Sequence, residues 1–120
     1  MANVLIADDA QFMRFIIGRI LRDNGHNIIG EAANGEEVVE MYAKLRPDIV
    51  TMDIVMPKMN GLEAIRKIIS FDPTARIVVI TALGQETIAF EAVKAGAKNF
   101  VVKPFKHEEV LAAVQKSLTL

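Results

Sequence analysis

Apolar residues are distributed along the chain in two alternating patterns. Three short runs are continuous and rich in β-branched residues, which is typical of strands covered on both faces of a parallel sheet. These runs occupy residues 4–7, 49–52 and 77–80. Two weaker runs, 28–31 and 100–102, predict two further strands, the first of them at an edge of the sheet.

Between the strands lie five segments with helical spacing. In the first segment, four residues are expected to form one apolar face: Phe12, Phe15, Ile16 and Ile20. The other segments are marked by Val38, Val39, Tyr42 and Leu45; by Leu62, Ile65, Ile68 and Ile69; by Ile88, Ala92 and Val93; and by Val110, Leu111, Val114 and Leu118.

Signals for helix ends flank these segments. Asn34, with Glu37 three residues later, is typical of a helix N-terminus. Stop signals follow the first, third and fourth helices, at Asn24-Gly25, Asp72-Pro73 and Gly96. Five strand-then-helix units with short connections predict an α/β fold, a doubly wound five-stranded parallel sheet with five helices. We expect it to form one domain over residues 1–120.

The composition narrows the class of protein. A hydrophobic fraction of 52% in 120 residues is enough to fill one core, and no segment approaches the ~20 apolar residues of a membrane helix. A net charge of −1 offers no basic surface to nucleic acid or to an acidic membrane. The lack of cysteine excludes disulfides, thiolate zinc sites and cysteine nucleophiles. With no secretory signal, the sequence predicts a soluble, cytoplasmic monomer.

Polar residues with related chemistry follow the predicted strands directly. They are Asp8 and Asp9 after the first strand, Asp53 after the third, Thr81 after the fourth and Lys103 after the fifth. In open α/β sheets, ligands bind outside the carboxyl ends of the strands. If the first and third strands are neighbours, three carboxylates converge there and need a cation to neutralise them. An all-oxygen site of this kind suits Mg²⁺ or Mn²⁺.

The same set of residues predicts phosphoryl transfer. A carboxylate beside such a metal can act as a nucleophile and form an acyl phosphate, while Lys103 and Thr81 bind the remaining oxygens. Taken singly, each of the five residues has a simpler explanation as a helix cap, a turn residue or a solvated side chain. Their occurrence together at successive strand ends favours the functional interpretation. The second strand contributes only Glu31, which does not stand out.

At these positions the sequence resembles the receiver domain of two-component response regulators. The resemblance is carried by Asp8-Asp9, by residues 52–61 around Asp53, by Thr81-Ala82 and by Lys103-Pro104-Phe105, and it extends over essentially the whole chain. It implies a flavodoxin-like sheet with strand order 2-1-3-4-5, as in flavodoxin and the chemotaxis regulator CheY. It also implies a cis peptide bond between Lys103 and Pro104.

The resemblance assigns a role to each residue of the site. Asp53 corresponds to the phosphoacceptor and also ligates the metal ion, and Lys103 corresponds to the lysine that pairs with the phosphoryl group. Asp9 corresponds to a direct ligand of Mg²⁺, which Mn²⁺ can replace. Asp8 corresponds to an acidic partner that binds the ion through water, and the backbone carbonyl of Val55 completes the metal site.

The resemblance also implies a switch. Thr81 corresponds to the hydroxyl that moves onto the phosphoryl group, and the ring of Phe100 to the aromatic group that fills the space behind it. A face formed by the fourth helix, fifth strand and fifth helix would respond, with candidate contacts at Phe90, Lys94, Phe100, Lys106 and His107. Val55 and Leu83 stand where the family often has polar residues. We expect these two side chains to shield the acyl phosphate from water.

Within the family, residues 8–14 and 82–85 resemble stand-alone chemotaxis regulators of the CheY type. This likeness implies a histidine kinase of the chemotaxis type as phosphodonor, a flagellar motor switch protein as output partner and a dedicated phosphatase. It implies no enzyme activity beyond the protein's own phosphorylation and dephosphorylation. A chain that ends with its fifth helix, with no DNA-binding domain attached, fits an output that consists of partner binding.

Several alternatives stay open. The chain could be a phosphorelay intermediate or a receiver excised from a larger regulator. A phosphatase of the haloacid dehalogenase type also uses an aspartyl phosphate and Mg²⁺, but it has Asp-x-Asp after the first strand, whereas Asp8 and Asp9 are adjacent. A flavodoxin-like cofactor module would need a glycine-rich loop around a phosphate, and neither Gly-x-Gly-x-x-Gly nor Gly-Lys-Ser/Thr is present.

Overall fold

The computed structural model of the protein describes residues 1–119 and shows five parallel strands and five helices there. The strands are β1 (Asn3–Ala7), β2 (Asn27–Ala32), β3 (Ile49–Asp53), β4 (Ile77–Ala82) and β5 (Asn99–Lys103). The helices are α1 (Gln11–Arg22), α2 (Gly35–Leu45), α3 (Gly61–Phe71), α4 (Glu86–Ala95) and α5 (His107–Leu118). All neighbouring strands are parallel, in the order β2-β1-β3-β4-β5. The predicted doubly wound α/β fold and its strand order are confirmed.

The helices cover both faces of the sheet. On one face α2, α3 and α4 enclose an apolar cluster that includes Tyr42, Met52 and Ile65. On the other face α1 and α5 enclose a second cluster that includes Ile17 and Val110. Every residue of the central strand β3 is buried, whereas β2 and β5 are partly exposed, as expected for edge strands. The carboxyl end of β3 is therefore enclosed by the packed helices and neighbouring strands.

The apolar face predicted for α1 is wrong in part. Phe12 and Phe15 are 72% and 57% exposed, and the buried apolar side chains of this helix are those of Ile17, Ile20 and Leu21. Apolar residues occupy most of the circumference of α1, so their spacing alone does not determine which side packs against the sheet.

A similar difference occurs in α4. Ile88 and Val93, predicted to face the core, are 38% and 37% exposed, while Ala89 and Ala92 are fully buried. The small alanine side chains face the sheet because close packing leaves little space between this helix and the strands. Larger apolar side chains stay at the margin of the helix, and Phe90 is 59% exposed.

The predicted helix ends are present in the structure. The side chain of Asn34 accepts a hydrogen bond from the backbone N–H of Glu37 at 2.9 Å, and the Glu37 carboxylate accepts one from the N–H of Ala33 at 2.8 Å. α4 ends at Gly96, whose φ of 128° lies in the region that favours glycine. Over residues 1–119, no helix has the length and apolar character needed to cross a membrane.

Candidate functional site

Three carboxylates meet at the carboxyl ends of β1 and β3. These strands are parallel neighbours with Ala7 beside Met52, so Asp8 and Asp9 leave β1 next to Asp53 at the end of β3. One carboxylate oxygen from each of the three aspartates lies within 4.8 Å of the other two. The structure thus brings together the acidic residues that follow the first and third strands.

Asp8 and Asp9 have different surroundings. Asp8 is 1% exposed, and its carboxylate accepts hydrogen bonds from the backbone N–H of Ala10 at 2.9 Å and from Nζ of Lys103 at 3.1 Å. Its own N–H donates to the carbonyl of Ala32 in β2 at 3.0 Å. Asp9 is exposed. Both carboxylate oxygens of Asp8 are therefore already engaged, while Asp9 faces solvent, where an incoming ion would arrive.

The carboxyl group of Asp53 is buried among like charges. The pKa of Asp53 is raised from 3.8 to about 6; burial is the strongest cause, and the negative charges of Asp8 and Asp9 act in the same direction. The ammonium group of Lys103 and the backbone N–H of Ile54 act in the opposite direction and lower the pKa. Near neutral pH, Asp53 is mostly ionised but in an environment that disfavours its charge.

Lys103 supplies a positive charge to the cluster. It ends the edge strand β5, and its Nζ lies 3.1 Å from Oδ2 of Asp8 and 3.7 Å from Oδ1 of Asp53. Its side chain therefore reaches across the end of β4 to the carboxylates. The Lys103–Pro104 peptide bond is cis, as the sequence resemblance implied.

Thr81 and Phe100 lie on the same side of the sheet. Phe100 is paired with Val79 in the β4–β5 register, and Thr81 is two residues beyond Val79, so the three side chains share one face. Thr81 is fully buried, and within residues 1–119 its Oγ1 has no hydrogen-bond partner. The ring of Phe100 is half-buried and meets the exposed ring of Phe90 edge to face at 5.7 Å between centroids.

The loop between β3 and α3 has a tight backbone. The N–H of Met59 donates to the carbonyl of Pro57 at 2.8 Å, with Lys58 between them at a φ of 66°. The N–H of Gly61 donates to the carbonyl of Ile54 at 2.7 Å. These bonds close the loop, in which the exposed side chain of Val55 lies two residues after Asp53.

The donor set fits a hard divalent cation. The cluster offers carboxylate oxygens only, from Asp8, Asp9 and Asp53. Oxygen ligands are those that Mg²⁺ prefers, and Mg²⁺ usually keeps several waters and binds one or two carboxylates directly. A site with one exposed aspartate and two buried ones fits such an ion.

Sequence reasoning missed two residues of the site. Nη1 of Arg14, in α1, donates to the backbone carbonyl of Asp8 at 2.6 Å, and Nε donates to Oε1 of Glu31, in β2, at 3.0 Å. Glu31 is the only residue that the second strand contributes to the list of candidates in the sequence, and nothing in the sequence gives it a role. An arginine five residues after an acidic pair is a weak signal, because the direction of its side chain depends on how α1 packs against the sheet.

The comparison with known proteins identifies the family. Residues 4–115 match the response regulator receiver domain. The chain belongs to the response regulator receiver family. This receiver is 53% identical to the chemotaxis protein CheY of Thermotoga maritima, with 95% of each chain covered. It is 51% identical to protein CcdB of Bacillus subtilis, with 97% of each chain covered.

A solved structure shows that the fold, too, is that of a receiver domain. The receiver superposes with a TM-score of 0.91 on the CheX–CheY–BeF3–Mg²⁺ complex of Borrelia burgdorferi, at 43% identity over 95% of this chain and 87% of the other. Its likeness to CheY proteins extends over nearly the whole chain, so this receiver is a chemotaxis-type response regulator. Receivers bind Mg²⁺ through an acidic cluster, and the three aspartates form such a cluster.

Proposed function

We propose that this receiver is phosphorylated on Asp53 in a reaction that depends on Mg²⁺ bound by Asp8, Asp9, Asp53 and the backbone carbonyl of Val55. Mn²⁺ is expected to replace Mg²⁺. The observation that carries the proposal is the convergence of the three carboxylates within 4.8 Å, with Nζ of Lys103 3.7 Å from Oδ1 of Asp53. Asp53 is the member of the cluster that ends the buried central strand.

The reaction uses Asp53 as the nucleophile. A carboxylate oxygen of Asp53 attacks the phosphorus atom of a phosphohistidine, a P–O bond forms and the P–N bond breaks. The electron pair of that bond goes to the imidazole nitrogen, which takes up a proton. Lys103 pairs with the transferred phosphoryl group, while Asp8 keeps its hydrogen bond to the N–H of Ala10. When bound, Mg²⁺ neutralises charge on the carboxylate and phosphoryl oxygens.

The added phosphoryl group shifts a two-state equilibrium. Thr81 has a buried hydroxyl without a hydrogen-bond partner in residues 1–119, so a phosphoryl oxygen nearby offers it an acceptor in one state only. Movement of Thr81 toward Asp53 leaves space on the face that it shares with Phe100, and the ring of Phe100 moves into that space. The face α4-β5-α5 then changes at Phe90, Lys94, Phe100, Lys106 and His107.

The partners follow from the same proposal. The phosphodonor is a histidine kinase of the chemotaxis type, the output partner is a flagellar motor switch protein, and a dedicated phosphatase removes the phosphoryl group. The 120 residues form one cytoplasmic receiver domain that acts as a monomer, without nucleic acid or membrane. The protein catalyses only its own phosphorylation and dephosphorylation and turns over no other substrate.

Intact mass after incubation with acetyl phosphate tests the proposal. Wild type should gain one phosphoryl group in the presence of Mg²⁺ and none in EDTA, and Asp53→Asn should gain none. Asp23→Asn is the matched control, because Asp23 is an exposed aspartate at the end of α1, and it should behave as wild type. An adduct that survives in Asp53→Asn would refute the assignment. Turnover of p-nitrophenyl phosphate would instead favour a phosphatase.

A further inference from the structure

Arg14 connects the acidic cluster to the edge strand β2. Its guanidinium group donates to the backbone carbonyl of Asp8 at 2.6 Å and to the carboxylate of Glu31 at 3.0 Å. The Arg14 side chain is 15% exposed and that of Glu31 42% exposed. The planar guanidinium group presents its donors in a fixed fork, so these two bonds together determine its orientation.

The bond from Arg14 fixes one peptide group of the site. The carbonyl of Asp8 belongs to the planar peptide that joins Asp8 to Asp9. Asp8 itself is held at its N–H by Ala32 and at its carboxylate by Ala10 and Lys103. With the carbonyl also held, the orientation of this peptide plane is determined, and the plane sets the direction in which the exposed side chain of Asp9 leaves β1.

We infer that Arg14, oriented by Glu31, is a positioning residue that places Asp9 for binding of Mg²⁺. The inference rests on the proposed function, because it assigns Asp9 to the metal site. It also gives β2 a part in the site, although β2 contributes no residue to the carboxylate cluster. Arg14 does not touch the ion; it acts through the Asp8–Asp9 peptide.

The sign of the effect separates positioning from simple electrostatics. Arg14 carries a positive charge close to a cation site, so removal of that charge alone would strengthen Mg²⁺ binding. Loss of positioning weakens Mg²⁺ binding, because substitution of a residue that orients a metal ligand commonly lowers metal affinity by 10- to 100-fold. A residue with only a structural role would change the stability of the protein and leave the affinity of the folded protein unchanged.

The test is calorimetric titration of Mg²⁺ into wild type and variants at pH 7.5, with the thermal midpoint of each measured in EDTA. Arg14→Met should weaken Mg²⁺ binding by about tenfold. Arg14→Lys keeps the positive charge but not the forked set of donors, so it should lose less Mg²⁺ affinity than Arg14→Met. Glu31→Gln keeps an oxygen acceptor for Nε of Arg14, so its Mg²⁺ affinity should stay within about twofold of wild type. Arg19→Met is the matched control, since Arg19 lies on the same helix, 71% exposed, and should bind Mg²⁺ as wild type does.

The outcomes distinguish this inference from the proposed function. If wild type binds Mg²⁺ and Arg14→Met binds it equally or more tightly, the inference is wrong and the proposed function stands. If wild type binds no Mg²⁺, both are wrong. Should Arg14→Met not fold, Arg14→Lys decides, because wild-type affinity in that folded variant would also overturn the inference.

Discussion

Nζ of Lys103 lies 3.1 Å from Oδ2 of Asp8, nearer than the 3.7 Å that separate it from Oδ1 of Asp53. Without a phosphoryl group, the lysine at the end of β5 is thus paired mainly with the most buried aspartate of the cluster. Two of the three carboxylates, those of Asp8 and Asp53, share this ammonium group. The cluster keeps a negative charge that favours a divalent cation, and the lysine is within reach of whatever binds to Asp53.

Replacing Lys103 should raise the pKa of Asp53. Lys103 lowers this pKa in the wild type, so Lys103→Met should move it above its value of about 6, by roughly one unit. Lys103→Arg keeps a positive charge and should cause a much smaller change. The measurement is a pH titration of the ¹³Cγ signal of Asp53 by NMR in EDTA. A pKa in Lys103→Met equal to that in wild type would show that Lys103 is not coupled to Asp53.

Asp53→Asn should stabilise the metal-free protein above pH 6. The pKa of Asp53 is about 6 in the folded protein and 3.8 as its ordinary value, so the folded state binds its proton more tightly than the unfolded chain. Stability is therefore lost as pH rises from about 4 through about 6. At pH 7.5 in EDTA, the variant should be more stable by about 1 to 3 kcal/mol, and the difference should shrink toward pH 4. Urea denaturation at both pH values measures the free energy of unfolding, with Asp23→Asn as control. Equal stability of wild type and Asp53→Asn at pH 7.5 would contradict the prediction.

Two buried hydroxyls without partners in residues 1–119 provide a matched pair, Thr51 and Thr81. Thr51→Val and Thr81→Val each remove an unsatisfied group, and each should leave stability unchanged or raise it by up to about 1 kcal/mol. Thr81 and Phe100 lie on one face of the sheet, whereas Thr51 is paired with Val78 and lies on the other face. On addition of beryllofluoride and Mg²⁺, NMR shifts at Phe100 should therefore change in Thr51→Val as in wild type and be reduced in Thr81→Val. Equal responses in both variants would remove Thr81 from the switch.

Apolar side chains at the rim of the site should slow hydrolysis of the acyl phosphate. Val55 and Leu83, on the loops that follow β3 and β4, are 54% and 74% exposed. Val55→Asn combined with Leu83→Glu admits water and should speed loss of phosphate by about threefold or more, equal to about 0.7 kcal/mol of barrier. Phosphate release after removal of the phosphodonor measures the rate. Leu45→Asn, an exposed leucine at the end of α2, is the control, and an unchanged rate in the double variant would contradict the shielding hypothesis.

Gly61 should tolerate no side chain. A methyl group there would overlap the backbone carbonyl oxygen of Asp53, so Gly61→Ala must displace either α3 or the end of β3. We expect a loss of about 3 kcal/mol of stability. At Gly84 a methyl group would meet no atom within 4 Å, and only the φ of 92° opposes it, so Gly84→Ala should cost about 1 kcal/mol. Urea denaturation of both variants decides, and equal losses would show that the contact with Asp53 is relieved easily.

Much of the fold could be predicted from the sequence, because the physical cause of each feature is local. Continuous β-branched runs form the buried strands, with β3 fully buried. The cap at Asn34 and the stop at Gly96 also depend only on neighbouring residues. The polar residues after the first, third, fourth and fifth strands could be found because parallel strands present their carboxyl ends at one edge. The strand order itself came from the family resemblance and not from the pattern.

Only the tertiary structure decided how helices and side chains are oriented. Phe12 and Phe15 are exposed because packing against the sheet determined the roll of α1, while periodicity allowed several rolls. The same roll directs Arg14 toward the carbonyl of Asp8 and toward Glu31, 17 residues further along the chain. The sequence by itself determined which groups stand at the ends of the strands. Their distances and partners depend on long-range packing, because contacts between distant segments exist only after the sheet has brought those segments together.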